Sequence, residues 1–262
     1  MTGFTQIDIL LLLKLILAHC ISDFALQPSS WVEDRHINKH KSKFLYYHTL
    51  VTGLTALVLT LNWKLALIVT ISHFFIDVWK SYRSRAIQNF LLDQLFHLIV
   101  IGLSWLYILG GVLNHQVILS NYTYMIYVTG YFIATYPLSI LIKVCTSKWG
   151  IENNRTTANT STTINQVQQP SQNLIGQLQE EERWDELKEA GRWIGIIERM
   201  LIITFVLLEQ YEAIGLLIAG KSIIRFKESD QRKSEYFLFG TLLSISLSIF
   251  LALAMKVALQ HK

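Results

Sequence analysis

A chain of 262 residues in which 52% are hydrophobic and only 16% charged, with a mean hydropathy of +0.35, is too apolar for an ordinary soluble domain, where about a quarter of residues carry charge. Its formal charge of +4 is modest, and in a membrane protein a basic balance belongs to cytoplasmic loops before it points to nucleic acid. The two cysteines, Cys20 and Cys145, lie inside or at the ends of apolar runs, with no CxxC and no disulfide framework.

The apolar residues gather in seven runs, near 7–27, 44–61, 64–80, 89–110, 122–145, 192–226 and 235–258. Their length and lack of period-two alternation point to helices crossing a bilayer. The first run has no small-residue cleavage signal behind it, so it reads as a retained span. The sixth run is long and is interrupted in LLEQYEAIG by Glu209, Gln210, Tyr211 and Glu212.

Basic residues set the expected orientation. Arg35, Lys39, Lys41 and Lys43 follow the first run, and Lys80, Arg83 and Arg85 follow the third. Lys143, Lys148, Arg155, Arg183, Lys188 and Arg192 lie around the segment 143–192. The alternate connections hold only Lys64, with none between Gly110 and Asn121. A hairpin turning at Glu209–Glu212 keeps Lys221, Arg225, Lys227, Arg232 and Lys233 on the same inner side. The expected fold is therefore all-α: a polytopic transmembrane helical bundle of about eight helices. Its sixth and seventh helices form a short hairpin, and both termini lie outside.

Three regions follow. Residues 1–146 form a first membrane half and 191–262 a second. Between them, 147–190 is a cytoplasmic linker whose NNRTTANTSTTINQVQQPSQN stretch has little to bury. It ends in a charged helix with Leu178, Trp184 and Leu187 at helical spacing, suited to a membrane surface.

Histidine and aspartate stand out against this apolar background. His19 and Asp23, His73 and Asp77, and Asp93 and His97 are each spaced i,i+4 on a predicted span, and His48 opens another. Such a spacing puts two side chains on one helix face, about 6 Å apart. On the expected topology His19 and Asp23 lie about 12 and 6 Å from the inner end of their helix, with His48 at about 6 Å. His73 and Asp77 lie at about 10 and 4 Å, and Asp93 and His97 at about 6 and 12 Å. The order reverses to Asp-then-His in the fourth helix, as antiparallel neighbours require for like groups to share a depth. Seven costly groups in one layer are explained economically by a site for one or two divalent metal ions, zinc or manganese by their nitrogen and oxygen ligands. Hydrogen bonds within each helix, or a proton or cation pathway, would use the same residue types.

Gln27 and Gln94 lie beside the cluster and are candidates to orient a ligand or substrate. Cys20 points away and reads as packing, while His36, His40, His115 and His261 read as solvated surface. In the second half Glu198, Lys221, Arg225 and Glu235 fall near the same surface. They suit ion pairing and snorkelling at the headgroups. Alternatively Lys80, Lys221 and Arg225 hold an anionic headgroup beside the metal, with Glu198 as general base or extra ligand.

The motifs AHCISDFALQP, SHFFIDVWK, DQLFH, GRWIGIIERML, IAGKSIIRF and EYFLFGTLLS, with the His48 helix, together resemble a bacterial membrane family, domain of unknown function 3307. The resemblance implies that these polar motifs belong to a shared pattern. A looser similarity, by residue type, runs to inner-membrane proteins described as metal-dependent hydrolases. The expected function is a plasma-membrane hydrolase acting on a membrane-associated ester or phosphoester, an anionic amphiphile at the cytoplasmic leaflet. His19, Asp23, His48, His73, Asp77, Asp93 and His97 are its metal ligands, and Asp77 and Glu198 its catalytic carboxylates. The alternatives are a cation or proton transporter, or a regulatory scaffold with a structural metal. There is no Gly-rich phosphate loop and no GxSxG turn.

Overall fold

A computed structural model describes residues 5–109, 121–146, 170–225 and 231–260. These residues are helical throughout, apart from short connections. The helices are α1 (Gln6–Cys20), α2 (Ser29–Asn38), α3 (Lys43–Thr60), α4 (Trp63–Ser81), α5 (Ile87–Tyr107), α6 (Tyr122–Thr135), α7 (Pro137–Thr146), α8 (Pro170–Leu207), α9 (Tyr211–Arg225) and α10 (Gln231–Gln260). Among the described residues three stretches are long and apolar enough to cross a membrane, Ile87–Tyr107, Tyr122–Thr146 and Leu238–Gln260, and the bent pair Gln6–Ala25 with Ser29–Lys41 makes a fourth if counted as one span.

A capping box starts α1: Asp8 N donates to Thr5 Oγ1, and Thr5 N donates to Asp8 Oδ2 at 2.7 Å. Farther along, the first apolar run does not remain a straight α-helix. After Cys20 it widens into a π turn over Ile21–Ala25, closed by Leu26 N to Ile21 O at 2.9 Å. Pro28 then opens α2, and the chain bends by 81° between Gln6–Ala25 and Ser29–Lys41. The stretch read from sequence as a basic loop is thus largely a helix lying across the end of α1. Trp31 on α2 stacks on Phe44 of α3 with ring centroids 5.5 Å apart.

Helices α3 and α4 form a tight pair joined by Leu61 and Asn62. Leu61 takes the left-handed conformation at φ 52° that ends α3, and Asn62 Oδ1 accepts from Leu65 N to cap α4. Gly53 permits the close approach of the two helices, because a Cβ there would meet Thr70 Oγ1 at 2.3 Å.

The core of this half is formed by Leu11, Leu15 and Ala18 of α1, Ala56 of α3, Leu65, Ala66 and Val69 of α4, and Ile101 and Trp105 of α5, with Ile108 just beyond. These apolar residues precede His19 and His73 and follow His48 and His97. Each helix therefore changes from apolar to polar at the same level.

A second core packs α6, α8, α9 and α10 around Ile126, Ile203, Val206, Ile214, Ala252 and Met255, so α6, within the expected first half, is grouped with the second. Leu10, Leu17 and Met125 join it to α1. The fifth apolar run is two helices, not one, because Pro137 lacks an N–H and crowds the preceding turn. Buried Arg199 of α8 serves the opened backbone: its Nε donates to Ala134 O at 2.7 Å, and its Nη2 donates to Ser139 Oγ.

The charged helix expected before the sixth run is continuous with it in α8. Residues 147–169 of the expected linker lie outside the described residues. The expected break near Glu209 is present. Glu209 has φ 61°, and Gln210 N to Phe205 O with Glu209 N to Val206 O closes α8 in a Schellman motif. Lys256 donates to exposed Glu209, and that bond keeps the carboxyl below its ordinary range.

Large apolar side chains point outward from many helices, including Phe75 (66% exposed), Leu103 (61%), Leu216 (75%) and Phe250 (74%). A surface of this kind suits hydrocarbon. The packing predicts a contrast between two glycines. Gly53→Ala should destabilise by about 1–3 kcal/mol through overpacking. Gly102→Ala, with nothing within 4 Å of its added Cβ, should be neutral or slightly stabilising. Thermal unfolding of both variants in detergent measures the difference.

Candidate metal centre

The seven histidines and aspartates picked out by spacing come together from α1 and its π turn, α3, α4 and α5. All are buried: His19, Asp23, His48, His73, Asp77, Asp93 and His97. The π turn has a direct part in this. It places Asp23 and Ser22 at the wide turn, where Ser22 Oγ donates to His19 O at 3.0 Å and to Asp23 Oδ1 at 3.1 Å. Single π turns inside α-helices are frequent at functional sites.

At the centre, His48 Nε2 and His73 Nε2 are 3.0 Å apart. Asp23 Oδ1 lies 3.5 Å from each of these nitrogens, and Asp77 Oδ2 lies 3.4 and 3.5 Å from them. Four ligands at about 2.0–2.1 Å from a tetrahedral zinc ion are separated from one another by roughly 3.3–3.4 Å. The separations among Asp23, His48 and His73 are close to those of atoms sharing one coordination sphere. His19 Nδ1 is 3.6 Å from Asp23 Oδ1, and the His19 and His97 rings are stacked with centroids 4.9 Å apart. Three overlapping sets could hold a metal ion: His19, Asp23 and His97; Asp23, His48 and His73; and His73, Asp77 and His97.

His97 is the most informative donor. Its Nδ1 lies 2.8 Å from the Asp93 carbonyl oxygen, which can only accept, so Nδ1 carries the proton and Nε2 presents a lone pair. That Nε2 is buried with no hydrogen-bond partner, as are His48 Nδ1, Asp77 Oδ1 and Asp93 Oδ1. Buried polar atoms without partners are uncommon and call for an explanation. An imidazole whose second nitrogen is pinned by a carbonyl is the usual arrangement of a metal-binding histidine.

The carboxylates are not equivalent. Asp77 Oδ2 accepts from Arg35 Nη1 at 2.5 Å. Asp93 Oδ2 accepts from Lys80 Nζ and, at 3.0 Å, from Gln94 Nε2. Gln94 Oε1 also lies 3.2 Å from His19 Nε2, so Gln94 joins two members of the cluster. Asp23, in contrast, is set among imidazoles, which makes it the carboxylate best placed to ligate.

Arg35 was legible only as one of several loop cations. Once SSWVEDRHIN is a helix crossing the end of α1, Arg35 is carried inward and is 3% exposed. The Pro28–Ser29 start was its available signal.

Other expected positions fall elsewhere. Gln27 Nε2 is buried without a partner. Glu198 of α8 accepts from Lys221 of α9, and α8 packs chiefly on α6, α9 and α10, outside the cluster's helices. The side chain of Arg225 lies outside those described. His40, exposed, meets the Tyr82 hydroxyl at 2.5 Å.

Residues 11–126 match the model of a family described as a protein of unknown function, DUF3307. The resemblance carried by the His and Asp motifs is thus shown for this segment, which runs from α1 into α6 and holds all seven cluster residues. The second-half motifs lie beyond the match. No curated protein and no solved structure matches the chain.

The ion pairs predict an asymmetric mutational response. Lys80→Met leaves Asp93, fully buried, without its cation, and should destabilise the metal-free protein by about 3 kcal/mol at neutral pH. The double variant Lys80→Met/Asp93→Asn should recover most of that loss. Denaturant or thermal unfolding of the single and double variants checks it.

Proposed function

We propose that this chain is an integral-membrane, metal-dependent hydrolase acting on a membrane-associated ester or phosphoester. The carrying observation is the set of nitrogen and oxygen atoms 3.0–3.6 Å apart, on α1 with its π turn, α3 and α4, in a layer sealed by the chain's own core. On this reading Asp23, His48 and His73 form the main ligand set for zinc or manganese. His19 and His97 complete it, or hold a second ion that shares Asp23. Bound there, a divalent ion would lower the pKa of a water and polarise a carbonyl or phosphoryl oxygen. Asp77, whose Oδ1 has no partner, is the carboxylate placed to take the proton from that water.

The depth of the layer and the flanking basic residues support a site at the cytoplasmic leaflet of the plasma membrane. The eight-crossing arrangement with both termini outside belongs to the same proposal. Gln94 holds ligands in place, and Gln27, with its free buried amide, is a candidate to meet substrate. Glu198 and Lys221 pair with each other, which supports a stabilising role for them in the second half.

One observation favours a different reading. The rings of His48 and His73 are 5.0 Å apart, those of His73 and His97 4.3 Å, and those of His97 and His19 4.9 Å. A continuous row of imidazoles also serves proton or cation passage.

Metal content separates the two. Protein purified without chelators should hold one or two equivalents of a transition metal by plasma mass spectrometry. His73→Ala/Asp77→Ala should lose it while keeping its helical content by circular dichroism. Absence of metal, together with proton flux in liposomes, would support the transport reading instead. Asp77→Asn should retain metal and lose hydrolytic turnover by at least about a hundredfold.

A further inference from the structure

We propose that Arg35 and Lys80 form a phosphate receptor at the metal centre, so that the substrate is a phosphoester and not a carboxylic ester; this rests on the metal-dependent reading above. Three buried aspartates face one arginine and one lysine, which leaves a single negative charge when the imidazoles are neutral. One divalent ion turns that balance to a single positive charge, and two ions turn it to three. Net charge enclosed by apolar helices is costly. With neutral water on the ion, the loaded centre therefore calls for an anion. A carboxylic ester brings no charge, whereas a phosphodiester brings one and a phosphomonoester up to two.

The two cations are suited to that anion. Arg35 engages Asp77 through Nη1, and its planar fork has further donors that match phosphate oxygens in pairs. With Nη1 held by Asp77, the other guanidinium donors remain available beside the ligand layer. Lys80 occupies the edge of the cluster: its side chain is 24% exposed, while its partner Asp93 is 0% exposed. It is the more exposed of the cluster's two cations. The two residues come from different elements, α2 and the end of α4, and each pairs with one aspartate of the layer.

The test uses the full chain in uncharged detergent, loaded with zinc and freed of excess metal. Inorganic phosphate is titrated by calorimetry. In a second arm the protein is placed in phosphatidylcholine nanodiscs with and without phosphatidic acid. Zinc-dependent binding in either arm bears the proposal out, and the arm that responds distinguishes a soluble phosphate from a lipid headgroup.

Arg35→Gln should retain zinc yet bind the phosphate group at least about tenfold more weakly, and Arg35→Lys should fall between. Lys80→Gln, at the more exposed residue and in zinc-loaded protein, carries the same expectation if Arg35→Gln does not fold. Retained zinc with no phosphate binding would overturn this proposal alone, as would unchanged binding in folded variants. Simultaneous loss of zinc and phosphate in Arg35→Gln would make Arg35 a counterion of the ligands only. Failure of the native protein to take zinc at all would instead contradict the metal-dependent reading.

Discussion

Three carboxylates buried among apolar helices must be matched by positive charge, and much of the first half is arranged to meet that demand. Arg35 reaches Asp77 only because the chain bends by 81° after α1 and sends α2 across its end. Lys80 reaches Asp93 because α4 and α5 run back on each other through a short turn. Asp23 is placed among imidazoles by the π turn that ends α1. Breaking any of these local devices would leave a charge in surroundings that solvate it poorly.

The same demand explains the layering. Leu11, Leu15, Ala56, Leu65, Val69 and Ile101 lie together on one side of the polar residues. Little distinguishes lipid from a leucine surface, so close packing and polar contacts must hold such helices together. Gly53 against Thr70, and Gly130, whose added Cβ would meet Met255 Sδ at 2.2 Å, are where a side chain of one helix packs directly on the backbone of another. Arg199 has the analogous part in the second half, where Pro137 opens a helix and a buried guanidinium occupies the gap.

Much of the centre was legible in the residues alone. The i,i+4 spacing of His19 and Asp23, His73 and Asp77, and Asp93 and His97 fixed a face for each pair, and their reversed order fixed a common depth. The break at Glu209 was legible because charge interrupts a hydrophobic run. What periodicity could not show is the departure from an ordinary α-helix. Ile21–Ala25 has the same apolar-polar texture as its surroundings, and its widened turn follows from tertiary packing. Arg35 was hidden for a related reason, since a cation in a basic connection looks solvated until that connection becomes a helix. Glu198 and Lys221 were legible as near neighbours, but their pairing with each other depends on how α8 meets α9.

The central claim is that one buried layer of imidazole and carboxylate groups binds a metal ion. X-ray absorption at the metal edge of the purified, loaded protein tests it most directly. Nitrogen and oxygen neighbours are expected at about 2.0–2.1 Å, with outer-shell scattering from two or more imidazole rings that disappears in His48→Ala/His73→Ala. An all-oxygen shell with no imidazole scattering, or a spectrum unchanged in that double variant, would contradict it.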